Sequence, residues 1–437
     1  MTSKLLTLLF DFLNRHTVYA LLRNFEGLPE HNRSRDIDIA IVRKDFRKHR
    51  NELVALIEQA GWKIITYLDA FRITTWVCAR LDESGKAELV QLDFFFNTSL
   101  YGLILLDQKT IMERRRFNGK FYHADPACEF LDKYLYLRAV GAAYPEKYSE
   151  QRARVENDAT VAAQISSTFG CQSISDCDGA SRAALMRRLI IRNFAKYGLR
   201  TVGNVLRFAF GHVRNYVRSE SVFSIGFTGP DGSGKTTVID LLIENFGEVF
   251  RKAHAYYHFR PMLFGNLGEV AHKAGVKKEV DRNYSQPHRG AKTGTLSSLL
   301  RLCYYSADYI AGYFLRIKPH TRIARLVLFD RYYTDIICDS RRSRIYLPTG
   351  FLYYFGKFLI PSLDYNVLLT APTGVILERK RELDREGIEA INHKIDYLAD
   401  KKGYYKILND GTPQEAVTKI LHIVFETQHQ KILKRLR

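Results

Sequence analysis

The stretch FTGPDGSGKTT, residues 227–237, restricts the fold around it more than any other part of this 437-residue sequence. Its spacing satisfies GxxxxGK[ST] with Gly229, Gly234, Lys235 and Thr236. Glycines in such a loop let successive backbone N–H groups turn inward around phosphate oxygens, and the N-terminal end of the next helix adds positive charge. The loop therefore needs a strand running in and a helix running out. Both are present: the apolar run VFSIGFT (222–228) precedes it, and VIDLLIENF follows with helical spacing. Gly229, Pro230, Asp231, Gly232, Ser233, Gly234, Lys235, Thr236 and Thr237 are the candidate nucleotide-binding residues. In this chemistry the lysine bridges β- and γ-phosphates and the threonine hydroxyl ligates Mg²⁺, so a nucleoside triphosphate such as ATP and Mg²⁺ are the expected cofactors.

The loop lies mid-chain, and a chain of this length is expected to form two or three domains. Hydrophobic residues make up 46% and aromatics 13%, which supports packed cores and excludes a disordered chain. Sixty-six Lys and Arg against 47 Asp and Glu leave a net charge of +19. That excess points to anionic partners: nucleotides, nucleic acid, phosphorylated glycans or an acidic membrane surface. The six cysteines, Cys78, Cys128, Cys171, Cys177, Cys303 and Cys338, have no CxxC pair or metal-ligand spacing and read as free thiols of a reducing compartment. In KLLTLLFDFLNRH, polar Asp11, Asn14 and Arg15 interrupt the apolar run, so it reads as an amphipathic helix and not a signal peptide. No apolar run reaches the roughly 18 residues that cross a bilayer. The expected location is cytoplasmic.

Ahead of the loop, residues 1–125 alternate strand and helix signals: DIDIAIV (36–42), a helix near 45–60, KIITYL (63–68), RITTWVCARL (72–81) and ELVQLDFFF (88–96). Residues 126–169 read as helices. GCQSISDCDGAS (170–181) reads as a polar, turn-rich linker that opens a connector to residue 221. Between 182 and 218 there are nine Arg or Lys and no acidic residue. Arg188, Arg192 and Lys196 repeat every four residues as a basic stripe, with Leu185, Leu189, Ile190 and Phe194 on an apolar side. Two readings stay open for this segment: a connector packed on its neighbours, and peripheral contact with acidic lipid at the inner membrane surface. Residues 222–437 alternate strands with helices and read as a parallel α/β sheet, with further strands at AYYHF (255–259), RLVLFD (325–330), DYNVLLT (364–370) and KILND (406–410).

GPDGSGKTT, with Asp231 inside the loop, resembles the loop of thymidylate kinase-like enzymes. LVLFDRYYTDI strengthens the likeness, because Asp330 ends an apolar strand and Arg331 follows it, like the Asp-Arg pair those kinases carry after their third strand. The resemblance implies that Asp330 orients the acceptor or the Mg²⁺ water shell and that Arg331 clamps a phosphoryl group. It also implies a closing lid in VILERKRELDREG, a helix bearing Arg379, Lys380, Arg381 and Arg385. Lys235, Asp231, Asp330, Arg331, Arg379 and Arg381 form the candidate catalytic set. The sequence departs from that family in an insert of about 65 residues between the second and third strands, which holds HFRP (258–261), QPHRG (286–290) and the helix LSSLLRLCYYSADYIAGYFL (296–315). A second insertion, RRSRIYLPTGFLYYFGKFLIP (341–361), adds arginines and aromatics. Arg260, Arg341 and Arg344 are the candidate substrate-binding residues. The rebuilt acceptor side suggests a larger acceptor than thymidylate, phosphorylated or linked to a glycan or lipid.

Near the front, RSRDIDIAI sets Asp36 and Asp38 at i and i+2 of a strand, so both carboxylates leave one face. Asp93 follows in VQLDFFF on a separate strand. Three carboxylates on neighbouring strands suit a pair of Mg²⁺ ions. The pattern resembles the nucleotidyltransferase superfamily, although LLRNFEGLPEHNRSRDID has Arg23, Asn24 and Gly27 where that family carries a Gly-Ser or Gly-Gly turn. The expected fold is thus α/β: an α+β nucleotidyltransferase-like front domain, a helical connector, and a P-loop kinase-like parallel sheet covered by helices on both faces. The pairing resembles proteins of bacterial surface-polysaccharide synthesis. The function expected is Mg²⁺/ATP-dependent phosphoryl transfer. Its rivals are processing of nucleic-acid ends, for which no RNA-binding signature is present, and a non-catalytic ATP switch.

Overall fold

Period-two apolar spacing builds the first sheet. Its strands are β1 (Tyr19–Leu21), β2 (Asp36–Ile41), β3 (Lys63–Asp69), β4 (Ile73–Leu81), β5 (Ala87–Phe95), β8 (Arg116–Phe117) and β9 (Tyr122–His123), after a separate hairpin of β6 (Thr98–Leu100) and β7 (Leu103–Leu106). They lie in the order β3-β4-β5-β2-β1-β9-β8. The computed structural model describes residues 2–34, 36–218, 222–250, 254–261, 263–265, 293–320, 326–380 and 382–436.

Alternation sends Ile37, Ile39, Ile41, Leu92 and Phe94 to one face and Ala40 and Phe95 to the other. The first face is covered by helix Thr2–His16, through Leu5, Leu6, Leu9, Phe10 and Leu13, and by helix Arg43–Gln59. The second meets helix Pro126–Val140, whose Phe130, Leu131, Tyr134 and Leu135 are fully buried. Asp125 caps that helix by accepting from the Cys128 N–H at 2.9 Å, and Gly141 ends it in the left-handed region at φ 84°. Helices Ala159–Phe169 and Arg182–Tyr197 extend the same core.

The segment 170–181 differs from the expected loose linker. Ser173 caps a short helix, Ile174–Gly179, while Cys171, Ile174 and Cys177 are buried in the second core. Its apolar residues, spaced by three, outweigh its turn-forming composition once a core is available to them. All six cysteines are unpaired thiols, and Cys303 alone among them is exposed.

The second sheet holds the glycine-rich loop. Strands β10 (Phe223–Thr228), β11 (His254–His258), β12 (Leu326–Asp330), β13 (Tyr365–Thr370) and β14 (Tyr404–Leu408) lie in the order β11-β12-β10-β13-β14, all parallel. Near-continuous apolar strands such as Leu326–Asp330, buried throughout, match a sheet covered on both faces. Helix Lys235–Phe250 leaves the loop after β10. The sequence 373–387 is not one lid helix: helix Thr373–Arg379 stops at Lys380, and helix Arg385–Ala399 restarts after Asp384, which caps it by accepting from the Gly387 N–H. Arg381 and QPHRG (286–290) lie outside the described residues.

Two compact units result: residues 1–80, 88–221 and 425–437 in one, and 81–87 with 222–424 in the other. The final thirteen residues belong with the front unit, although they follow the loop sheet in sequence. The last turns of helix Pro413–Leu436 explain this, since Ile432 and Leu436 are each 2% exposed within the first core of the front sheet. His429 adds polar anchors there, with Nδ1 accepting from the Ile64 N–H at 3.0 Å. Ile432→Ala should cost the front unit about 2–4 kcal/mol, the range for such a truncation in a packed core. Urea unfolding followed by probes in each unit checks it. Equal shifts in both units would contradict the assignment.

Candidate functional site

The loop's path is fixed by contact distances that only glycine tolerates. A Cβ on Gly229 would lie 1.9 Å from the Leu369 carbonyl oxygen of β13, and one on Gly234 would lie 2.5 Å from Nδ2 of Asn409. Gly232 and Gly234 also sit at φ 90° and 89°, in the left-handed region. Asn409, directly after β14, ties the loop down by donating from Nδ2 to the Ser233 carbonyl at 2.8 Å. Arg379 donates to the Asn409 carbonyl at 3.4 Å, so the lid candidate at the end of helix Thr373–Arg379 reaches the loop through this residue. Thr236 and Thr237 stand exposed on the first turn of helix Lys235–Phe250.

Lys235 is buried and folds back on its own loop, donating to the carbonyls of Gly229 at 2.8 Å and Pro230 at 2.9 Å. Burial pushes its ammonium down to about 8, and the nearby Arg331 charge pushes the same way against the pull of Asp231. Parallel pairing of β10 with β12 sets Phe227 opposite Asp330 at the carboxyl ends of both strands. The chain then turns sharply: Arg331 has φ 72°, rare for a side-chain-bearing residue, and its N–H donates to the Phe227 carbonyl at 3.0 Å. This turn sends the guanidinium beneath the loop, where it pairs with Asp231, while its other arm reaches Asp335 at 3.2 Å. Asp231 is thereby held by two arginines, because Arg342 pairs with its second oxygen.

Asp330 is 6% exposed and accepts from Tyr256 Oη and pairs with His258 Nδ1, both at 3.2 Å on Oδ2. Burial alone would raise its carboxyl. The His258 hydrogen bond and the Arg331 and Lys235 charges hold it below the usual carboxylate range. Its Oδ1 is buried without a hydrogen-bond partner among the described residues. An ionised carboxylate with one oxygen unspent suits a hydrated divalent cation.

The three substrate candidates are distributed differently. Arg260 is 3% exposed and pairs with Asp308 at 3.3 Å, stacked over the Tyr305 ring. Arg341 bridges to Asp384 at 3.0 Å on the surface. Arg344 ends a short helix at φ 55°, and its carbonyl accepts from Thr293 Oγ1 at 2.9 Å. Arg342, which the candidate set omits, is the arginine of this insertion that reaches the loop. A signal for it was present: Arg331, Asp335 and Asp339 recur every four residues, and Arg342 follows three later, pairing with Asp339 at 3.3 Å. Asn409, Tyr256 and His258 carried no comparable signal, since each acts from the end of a distant strand.

In the front unit, β2 and β5 pair in parallel with Asp38 opposite Asp93. Asp36, Asp38 and Asp93 offer carboxylate oxygens all within 4.8 Å of one another. Thr75 Oγ1 and Gln91 Nε2 donate to Asp93 at 2.5 and 2.7 Å, and Ser34 Oγ donates to Asp36 at 3.0 Å. Arg23 donates to Asp38 Oδ2 at 2.6 Å and to Asp132 at 3.0 Å. Burial pushes the Asp38 carboxyl up to about 7, with the neighbouring Arg23 charge acting against it. Its Oδ1 is a buried oxygen without a partner among the described residues. Clustered carboxylates with that oxygen left over fit a divalent cation. Asn24 and Gly27, both at positive φ, shape the turn beside Arg23.

No family model matches the chain, and no curated protein matches it. A solved structure similar to part of it is the thymidylate kinase from Ehrlichia chaffeensis, at 17% identity and a TM-score of 0.33, covering 46% of this chain and 98% of that one.

The Lys235 site makes a prediction about pH. Its folded value lies below the 10.5 of an ordinary lysine, so between about 8 and 10.5 the unfolded chain binds more protons than the native one. Unligated stability should therefore rise across that window, by about 3 kcal/mol, and the rise should be missing in Lys235→Met. Parallel stability curves for the two proteins would show that burial does not tax this charge.

Proposed function

We propose that the loop unit is a kinase that transfers the γ-phosphoryl group of ATP, with Mg²⁺, to an anionic acceptor. One observation carries this reading: Lys235, Asp231, Asp330, Arg331 and Arg342 converge at the carboxyl ends of β10 and β12, around a loop that glycine contacts force into a cradle. Ligands of open parallel sheets bind at that edge. Loop N–H groups and Lys235 take the β- and γ-phosphates, and Thr236 with Asp330 would hold Mg²⁺, which when bound neutralises phosphate charge. Asp231 keeps Arg331 and Arg342 poised as a substitute anion, and a phosphoryl group carrying more charge exchanges for it. The two guanidiniums then face charge that grows on the transferring group, where fixed donors lower the barrier. Asp330, ionised and braced by Tyr256 and His258, orients the attacking side. The insert and the aromatic segment 341–361 favour an acceptor larger than a nucleotide, glycan- or lipid-linked. A setting in surface-polysaccharide synthesis rests on the resemblance of the paired domains alone.

A second reading concerns the front unit: nucleotidyl transfer, supported by the 4.8 Å grouping of Asp36, Asp38 and Asp93 and by the unspent Asp38 oxygen. These carboxylates would hold divalent metal, which when bound activates an attacking oxygen and bridges triphosphate. Thr75, Gln91 and Ser34 fix the carboxylates' orientation, and Arg23 offsets their charge.

Lys235→Ala should raise the barrier to γ-phosphoryl transfer by about 3–4 kcal/mol, measured with γ-labelled ATP and cell-extract acceptors. A wild-type rate in that variant would end the kinase reading. Asp36→Asn combined with Asp38→Asn should abolish transfer from α-labelled triphosphates while γ-transfer persists. If the unaltered protein moves no α-label to any acceptor that takes the γ-label, the front unit is a binding domain.

A further inference from the structure

Helix Arg200–Arg218 sits the wrong way out for a soluble surface helix. Such a helix ordinarily turns its apolar stripe to the core and its polar side to water. Here the side that docks on the front unit is held largely by polar contacts. Thr201 Oγ1 donates to the Asn193 carbonyl at 2.9 Å, and Arg214 and Asn215 both donate to the Asp69 carbonyl at 3.0 and 2.9 Å. Phe208, edge-on to Tyr101, adds an aromatic contact to that docking. The outward side is apolar along its length. Leu199, Val202, Leu206, Phe210, Val213 and Val217 follow one another at intervals of three and four residues, so they fall on one stripe. Leu206, Phe210, Val213 and Val217 are 63, 70, 58 and 68% exposed, and Leu199 at the preceding corner is 86% exposed. Ile190, Ile191 and Phe194 of the preceding helix, Arg182–Tyr197, are exposed as well.

Charge decides what covers this stripe. Arg200 and Arg207, both exposed, border it on one edge, and no Asp or Glu occurs between 182 and 218. A second copy laid stripe on stripe would bring that basic edge against a face that contains no carboxylate, which opposes pairing. A bilayer with anionic headgroups satisfies both features at once, since acyl chains take the apolar side chains while headgroup phosphates take the arginines. The basic stripe expected from Arg188, Arg192 and Lys196 does not join in. Arg188 donates to Cys171 Sγ, Arg192 packs on Gly170, and Lys196 pairs with Asp107, so those residues hold the preceding helix to its own unit.

The geometry points to helix Arg200–Arg218 as a peripheral docking face for an anionic lipid bilayer, with Leu206, Phe210, Val213 and Val217 entering the interface and Arg200 and Arg207 meeting headgroups. The helix lies in the membrane plane and does not cross it, in keeping with the absence of any described helix long and apolar enough to span. This face is independent of the catalytic reading of either unit.

The test is co-sedimentation of the full chain with vesicles of phosphatidylcholine alone and with about 30 mol% phosphatidylglycerol added, at low salt and near 0.5 M salt. The expected result is binding to the anionic vesicles only, weakened by salt. Leu206→Ser with Phe210→Ser should lower partitioning at least about tenfold while leaving the thermal midpoint unchanged, because both side chains are already exposed. Arg200→Ala with Arg207→Ala should remove the preference for anionic lipid. Sedimentation with neither vesicle, equal sedimentation with both, or undiminished binding by the serine variant overturns the proposal. So does a concentration-dependent dimer that the serine variant converts to monomer with no vesicle binding by the unaltered chain.

Discussion

Everything at the loop depends on a buried exchange of charge through Asp231. Its two oxygens hold Arg331 and Arg342, and Arg331 passes on to Asp335. Each of these groups is at least four-fifths shielded from water, so none is tolerable alone; the pairing is what permits the others to be there. Removing a single member of such a set strands a charge in a low-dielectric interior, which costs more than the pair itself contributes. The same network burdens Lys235, whose ammonium sits under Arg331 and is held down to about 8. Donors fixed in this way are preorganised, and they need no rearrangement when negative charge develops beside them.

The front unit solves a similar problem with different parts. Asp36, Asp38 and Asp93 crowd together on neighbouring strands, and one arginine, Arg23, offsets Asp38 while bridging to Asp132 on helix Pro126–Val140. The carboxylates occupy positions of the same parity as Ala40 and Phe95, so they replace core residues on the face covered by that helix. Partial neutralisation leaves one buried Asp38 oxygen unspent. In the loop unit an Asp330 oxygen is left the same way, while the Asp308 oxygen that also lacks a hydrogen bond lies against Arg260. In each unit a buried acid short of a hydrogen bond stands on a strand that pairs in parallel with its neighbour.

Outside the two sites, chain segments settle where their apolar residues can be buried. Ile432 and Leu436 end up in the first core of the front sheet although they follow the loop sheet in sequence, and Cys171 and Cys177 join the second core from a stretch of turn formers. Helix Arg200–Arg218 is an exception, anchored by hydrogen bonds with its apolar stripe left in water. An exception of that kind carries information because burial is the default outcome for such residues.

Local pattern was enough to read the longer strands, the loop and the two acidic motifs, but not the short strands β1, β6, β7, β8 and β9. Period-two alternation located β2, near-continuous apolar runs located β5, β10, β12 and β13, and glycine spacing located the cradle, because backbone sterics and side-chain patterning act over a few residues. The i, i+2 spacing of Asp36 and Asp38 likewise fixed their common face. What local pattern did not contain was which distant groups meet. Asn409 reaches Ser233, and His258 and Tyr256 reach Asp330, because parallel pairing aligns the carboxyl ends of β10 to β14, and Arg342 reaches Asp231 from the short helix Ser340–Ser343. The break between helices Thr373–Arg379 and Arg385–Ala399, and the burial of Arg260 on Asp308, were decided the same way. A helical charge run reads alike whether its arginines face water or a buried carboxylate. Strand order and the partners it supplies make the difference, and those exist only in the folded chain.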